Sequence, residues 1–281
     1  MDKTRDTAIV LRSIAYEERH KIVTALSEKH GLITAMARNS IQSRRFGGTL
    51  DPFVASVWHF SEKPGAELLI LHEAEVKMSF EGLRADFEKL AMASVFNELM
   101  LKLAPHRTEA LELFKLHSNA LLALESAEKA DIRLLNGYMA KLLQWSGNQP
   151  QLLGCMHCQT PLQNVDPEIS VSCVVQDAGW VCSSCRTEDT KHLRERGQQS
   201  FDRTMLRITP IGIADFLTSL TVPIRQIIGA THASDDEHRE LFKFMEALFI
   251  YHIPGFDLKP LKGLRFLDLE SNSLQPPKNL R

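Results

Sequence analysis

TAIVLRSIAYEERHKIVTALSEKHGLITAMA, residues 7–37, holds three short apolar and β-branched runs, Thr7–Ile14, Lys21–Ser27 and Leu32–Ala37, parted by charged or glycine-containing breaks. Val, Ile and Thr suit a pleated, half-buried surface, so each run reads as a strand. Two further runs, Phe53–Phe60 and Ala66–His72, follow behind Gly- and Pro-containing breaks. Turn signals recurring at roughly ten-residue intervals are the pattern of an all-β sandwich or barrel, and five strands match the oligonucleotide-binding (OB) fold. Residues 1–80 are therefore expected to form such a barrel.

The charge of this end differs from that of the whole. The chain carries a net charge of −2, yet between Lys3 and Leu50 nine basic residues stand against four acidic ones. A polyanion would meet this end first. The segment after the third strand, ARNSIQSRRFGG (residues 37–48), has three arginines, no acid, one aromatic and two glycines, and reads as a flexible basic arm. Guanidinium groups pair with phosphates and stack on bases. Arg38, Arg44 and Arg45 are accordingly the expected phosphate contacts, Phe46 the ring offered to an unstacked base, and Arg12, Arg19 and Lys21 an extension of the same track. The alternative is a solvated surface loop with no partner.

After Glu81 the apolar spacing becomes helical. Met92, Val95, Phe96, Leu99 and Leu103 form one stripe; Ala110, Leu113, Phe114, His117, Leu121 and Leu124 a second; Ile132, Leu135, Met139, Leu142 and Leu143 a third. Breaks at Pro105 and across 127–131 separate three helices, expected to pack as an antiparallel bundle. His117, on an apolar stripe, reads as a satisfied core histidine. Further helices are expected over Pro210–Leu220, Pro223–Ile228 and Asp235–His252, the last with Leu241, Phe244, Met245, Leu248 and Phe249 inward. The whole of 81–281 is read as an α-helical domain, so the fold class is α+β and multidomain.

Into that helical half is set a cysteine lobe, at about 150–190. Cys155-Met156-His157-Cys158 and Cys182-Ser183-Ser184-Cys185 space each pair two residues apart, with twenty-three residues between the pairs. That gap lets both sulfurs of a tight turn point at one centre, and zinc takes four thiolates tetrahedrally. Pro161, Pro167 and Gly179 suggest a knuckle, short strands and a second knuckle. Four sulfurs leave no position for a water, so one Zn2+ per chain is expected as scaffold. Disulfides or a thioredoxin-like redox centre are the alternatives. His157 reads as an exposed turn residue and Cys173 as a small hydrophobe on a strand.

Other classes lose ground by what the sequence lacks. There is no apolar run of membrane-spanning length, and MDKTRDTAIV lacks the layout of a signal peptide; a cytoplasmic protein is expected. No phosphate-binding glycine loop appears, His72-Glu73-Ala74-Glu75-Val76 lacks the second histidine of a zinc-protease helix, and His238-Arg239-Glu240 has no cysteine pair after it. The expectation is a protein that is not an enzyme. A zinc-dependent nucleic-acid hydrolase or deaminase and a protein-only adaptor are the rival readings.

The residues resemble the bacterial RecO family of recombination mediators. The likeness is carried by the opening TAIVLRSIAYEERHKIVTALSEKHGLITAMARNSIQSRRFGGTLDPF (7–53), by Leu71-His72-Glu73-Ala74-Glu75, by the cysteine pairs and by the closing Leu261-Lys262-Gly263-Leu264-Arg265-Phe266-Leu267. The resemblance implies an OB barrel, a helical C-terminal domain and zinc on Cys155, Cys158, Cys182 and Cys185. It further implies ATP-independent binding of single- and double-stranded DNA and annealing of single strands. Implied partners are RecR, the C-terminal tail of the single-stranded DNA-binding protein and, indirectly, RecA, in a nucleoid-associated setting. An acidic tail would suit the helical half beside Lys259, Lys262 and Arg265. Two stretches depart from the family pattern: Asn39-Ser40-Ile41-Gln42 is uncharged, which implies weaker DNA affinity, and Asn148–Leu152 lacks the family's aromatic lead-in to the first knuckle.

Overall fold

The computed structural model describes residues 3–63, 65–187, 204–256, 262–267 and 269. The five expected strands form: β1 (Lys3–Tyr16), β2 (His20–Ser27), β3 (Gly31–Ala37), β4 (Ala55–Ser61) and β5 (Leu69–Met78). They close into a barrel in the order β1-β2-β3-β5-β4, with β4 returning to β1 and only the β3–β5 pairing parallel. Alternation decides what lies inside. Ala8, Val10, Val23, Ala25, Ile33, Ala35 and Ala37 turn inward with Trp58, Phe60, Leu69 and Leu71. The short side chains of β1–β3 leave the volume that the Trp58 indole fills.

A bulge between Val10 and Arg12 bends β1, so that its first half pairs with β4 and its second half with β2. The bulge frees the carbonyl of Leu11 from the ladder. That carbonyl is bonded from outside the barrel, by the buried Asn97 Nδ2 at 2.8 Å. Asn97 lies on α2 (Phe87–Leu103), which follows the short α1 (Glu81–Ala85) and precedes α3 (Leu111–Ser126). The Asp86 carboxylate caps α2 by accepting from the Lys89 N–H at 2.9 Å, a contact typically worth about 1 kcal/mol. With its amide nitrogen committed to Leu11, Asn97 accepts through Oδ1 from His117 Nε2 at 3.1 Å. His117 on α3 is fully buried, and burial pushes its pKa down to about 3. It is the satisfied core histidine expected, and it ties α3 through α2 to β1.

Gly31 holds a second tie. Its φ is +60°, and a Cβ there would overlap the Thr108 carbonyl oxygen and lie 2.5 Å from that of Pro105. The backbone comes so close because Leu32 N–H bonds the Pro105 carbonyl at 2.8 Å while Arg107 N–H bonds that of Leu32 at 3.2 Å.

The three expected helices form. The chain divides by packing into Met1–Ala130 with Leu261–Leu267, and Asp131–Pro260 with Asp268–Arg281. α2 is buried on almost every side, between β1, α1, α3 and the 3-10 turn Lys262–Phe266. α4 (Ile132–Trp145) belongs to the second unit, where it packs on α5 (Pro210–Thr221), α6 (Ile227–Ala230) and α7 (Asp235–His252). By packing, α2 and α3 group with the barrel, their stripes consumed beside it. The bounds of α7 match those expected, and its inner face carries the five named apolar residues. Ser234 and Glu237 form a capping box at its start. Inside this unit the Asp215 carboxylate accepts from the backbone N–H groups of His232 and Ala233 at 2.8 and 2.7 Å and pairs with His238 Nε2 at 3.2 Å.

Candidate nucleic-acid interface and metal centre

The basic segment after β3 is folded, where a flexible arm was expected. Ser40 Oγ donates to the Ala37 carbonyl at 2.8 Å, Asn39 takes a left-handed φ of +51°, and its N–H bonds His20 Nδ1 at 2.9 Å. Ile41 N–H reaches the Arg19 carbonyl at 3.3 Å. The segment is therefore pinned to the β1–β2 turn, which brings Arg19 and Arg38 to one end of the barrel. Ser43 then caps a 3-10 turn, Arg44–Phe46, by accepting from Arg45 N–H at 3.3 Å.

This turn overturns one expectation. Phe46 is 4% exposed and belongs to the barrel core with Leu50 and Trp58, so its ring is a plug and not a face for a base. Arg44 and Arg45 are exposed, and the Arg45 guanidinium lies 5.9 Å from the centroid of the Phe46 ring. Arg12, Arg19 and Arg38 are exposed as well. Among the described residues no carboxylate pairs with any of these five arginines. Lys21 differs: its Nζ is 3.4 Å from Asp51 Oδ1, which neutralises part of its field. Arg12 lies further along β1, opposite Thr24. Of the tail cations, Lys259 and the side chain of Lys262 lie outside the described residues, while Arg265 is exposed on the 3-10 turn Lys262–Phe266.

The cysteine lobe has the layout expected of it. The first knuckle leads into β6 (Val171–Val174) and β7 (Gly179–Val181), and the second cysteine pair opens a helical turn over 183–187. β8 (Met205–Ile208) completes a three-stranded sheet in the order β7-β6-β8. The lobe folds around Trp180, fully buried, whose Nε1 donates to the Leu152 carbonyl at 2.9 Å. The first knuckle is clipped to β7 by Met156 N–H on the Trp180 carbonyl at 2.9 Å. Cys173 is a buried strand residue and His157 an exposed turn residue, as expected.

The four sulfurs of Cys155, Cys158, Cys182 and Cys185 all lie within 4.8 Å of one another and could hold a metal ion. Metal–sulfur bonds of about 2.3 Å at tetrahedral angles put sulfurs about 3.8 Å apart, and Cys158 and Cys182 are 3.7 Å apart. Cys155 is buried and receives the Cys182 N–H at 3.3 Å. The Thr160 hydroxyl, then its backbone N–H, and the Cys155 and Cys185 thiols lower the pKa of Cys158 to about 6. Burial pushes the Cys182 thiol up, and hydrogen bonds from the Cys182 and Cys158 side chains push Cys185 up. A cation at the centre of the four sulfurs would favour their thiolate forms. Thr160, 3.1 Å from the Cys158 sulfur, went unnoticed in the sequence, although it stands just two residues past that cysteine.

A five-stranded OB-type barrel with exposed arginines that no carboxylate pairs, followed by a helical half that carries four cysteines able to hold a metal ion, defines a class: OB-barrel proteins with a basic face and a candidate metal centre. Comparison with known families is more particular. The family model described as "Recombination protein O N terminal" matches residues 1–80, and that described as "Recombination protein O C terminal" matches residues 84–207. The chain belongs to the recombination protein O (RecO) family. Among its relatives, the DNA repair protein RecO of Anaeromyxobacter dehalogenans is 32% identical over 186 residues, covering 66% of this chain and 71% of the relative. That of Syntrophus aciditrophicus is 28% identical over 262 residues, 91% and 92% of the two chains. The RecO of Desulforamulus reducens is 31% identical over 204 residues, 71% and 76%. The family implies a DNA-binding mediator of repair and recombination. No helix among the described residues is long and apolar enough to cross a membrane.

Proposed function

We propose that this protein binds and anneals single-stranded DNA and, with RecR, helps load RecA onto DNA coated by the single-stranded DNA-binding protein. Residues 1–80 grip the strand and residues 81–281 carry the partner contacts, among them a site for the acidic tail of the single-stranded DNA-binding protein. The ion in the cysteine lobe is Zn2+ in a structural role, since four soft thiolates fill a tetrahedral zinc site. The protein works in the cytoplasm, on the nucleoid, and also holds duplex DNA.

The observation that supports this reading is the set of exposed arginines in residues 1–80, Arg12, Arg19, Arg38, Arg44 and Arg45, that no carboxylate pairs. Side chains held out without a carboxylate partner neutralise phosphates and release counterions, with no reading of sequence. Annealing then needs no bond chemistry. Neutralising two strands lowers their mutual repulsion and raises their local concentration, so that base pairing nucleates. The test is annealing of complementary oligonucleotides coated with the single-stranded DNA-binding protein, with and without RecR and with and without a chelator. Faster pairing than in the coated strands alone is expected, and pairing no faster than in its absence sinks the reading.

A further inference from the structure

We propose that the cysteine lobe is a thiol redox site, in which peroxide attacks the Cys158 sulfur, Cys182 resolves the product into a disulfide and the zinc ion is released. This rests on the Zn2+ assigned above and adds a reaction to a site so far given only a structural part.

The four sulfurs share one centre but differ in access. Cys155 is fully buried, Cys182 and Cys185 are half-buried, and Cys158 is exposed. Cys155 is held on both sides by its own knuckle: its N–H donates to the Thr160 carbonyl and its carbonyl accepts from Gln159 N–H, both at 2.9 Å. Its sulfur also receives the Cys182 N–H at 3.3 Å. Gln159 takes a left-handed φ of +59° and turns the chain back, with Cys158 at the corner of that turn. Oxidation of cysteines follows thiolate character together with exposure, so a small polar oxidant meets Cys158 first. Zinc favours the thiolate form that reacts.

A second sulfur stands ready. That of Cys182 is 3.7 Å from that of Cys158, and a disulfide bond of about 2.05 Å requires the two to approach by about 1.7 Å. Cys158 belongs to the first knuckle and Cys182 leads into the helical turn over 183–187, so the new bond ties the two segments that the metal joined. The bonds from Met156 N–H to the Trp180 carbonyl and from Trp180 Nε1 to the Leu152 carbonyl involve no sulfur and keep the lobe folded for reloading.

Peroxide is the oxidant. The Cys158 thiolate attacks one of its oxygens, the O–O bond breaks and hydroxide leaves, which gives a sulfenic acid. The Cys182 thiolate then attacks the Cys158 sulfur and expels a second hydroxide. Two electrons pass from the thiolates to the peroxide. Zinc, left with Cys155 and Cys185, dissociates, and those two sulfurs take up protons from water. A dithiol reductant returns the electrons by exchange, and zinc rebinds.

The test uses the full zinc-loaded chain, its metal content first measured by atomic emission. Hydrogen peroxide is added in steps, zinc release is followed with a chromogenic chelator, and thiol-blocked digests are mapped by mass spectrometry. One zinc ion per chain should be released as a peptide pair linked through Cys158 and Cys182 forms, and dithiothreitol with added zinc should reverse both. Cys158→His keeps four ligands of kinds that zinc accepts and should hold its metal at peroxide concentrations that empty the parent. Cys173→Ser, changed at a buried strand position, should lose it as the parent does. Zinc retained while peroxide oxidises free thiols in the same solution, release with Cys158 still reduced, or a disulfide lacking Cys158 or Cys182 would overturn the redox site and leave structural zinc intact. These maps are made on the parent, so they decide even where Cys158→His does not fold. A parent purified under reducing conditions with zinc supplied, yet holding none, would overturn both.

Discussion

Removing Arg44 and Arg45 together should change how single-strand affinity responds to salt more than it changes the fold. Both are exposed and neither is paired with a carboxylate. The Arg45 guanidinium lies near the buried Phe46 ring, a cation–π interaction worth about 0.5–1 kcal/mol at an exposed site. If all five unpaired arginines meet phosphates, about 0.7 counterion each on a single strand sets a ceiling of about 3.5 on the negative slope of log K against log salt. The double alanine variant then has a slope of about 2.1. Between about 50 and about 200 mM salt, affinity should fall about 130-fold in the parent and about 18-fold in the variant. Lys21→Ala is the internal comparison: its ammonium is already shared with Asp51, so its slope should change less. Anisotropy titrations with an unstructured oligonucleotide at four or more salt concentrations supply the slopes. An unchanged slope in Arg44→Ala/Arg45→Ala would remove the 3-10 turn from the interface.

Three further outcomes follow from the same geometry. Cys155→Ser should release the metal, expose Trp180 as a red-shifted emission and cost the lobe several of the about 10–16 kcal/mol that thiolate zinc sites contribute; Cys173→Ser, at a buried strand position, should keep it. His117 has a folded pKa lowered to about 3, so the unfolded chain takes up the proton first as pH falls below about 6.5. Stability should therefore drop between pH 7 and pH 5 by about 2 kcal/mol from this residue, and urea titrations of His117→Gln should show a smaller difference between those pH values. Phe46→Leu should cost about 1 kcal/mol of stability and leave strand affinity nearly unchanged, because the ring plugs the barrel; a loss of tenfold or more would restore it as a stacking residue.

Much of this was legible in the residues because each rule acted locally. The five strands appear where β-branched runs stand between breaks, and the apolar spacing of Leu241, Phe244, Met245, Leu248 and Phe249 marks α7. What failed was non-local. Apolar stripes on α2, α3 and α4 say which faces are buried, but not against what; the fate of α2 is set by Asn97 meeting a carbonyl freed by a bulge in β1. No spacing in the sequence announces that bulge. The cysteine quartet succeeded for the opposite reason, since two tight pairs contain their own geometry and need only one closure to meet.

The misplacement of Phe46 and the correct exposure of its neighbours have one cause. A 3-10 helix has about three residues per turn, so successive side chains point about 120° apart. Once Phe46 of the Arg44–Phe46 turn is drawn into the barrel, Arg44 and Arg45 have only the two outward directions left. An aromatic beside two arginines invites a stacking role, but in this turn the three side chains cannot share one face. Burial of the ring, favourable by about 1.5–3 kcal/mol, is what aims the cations at solvent.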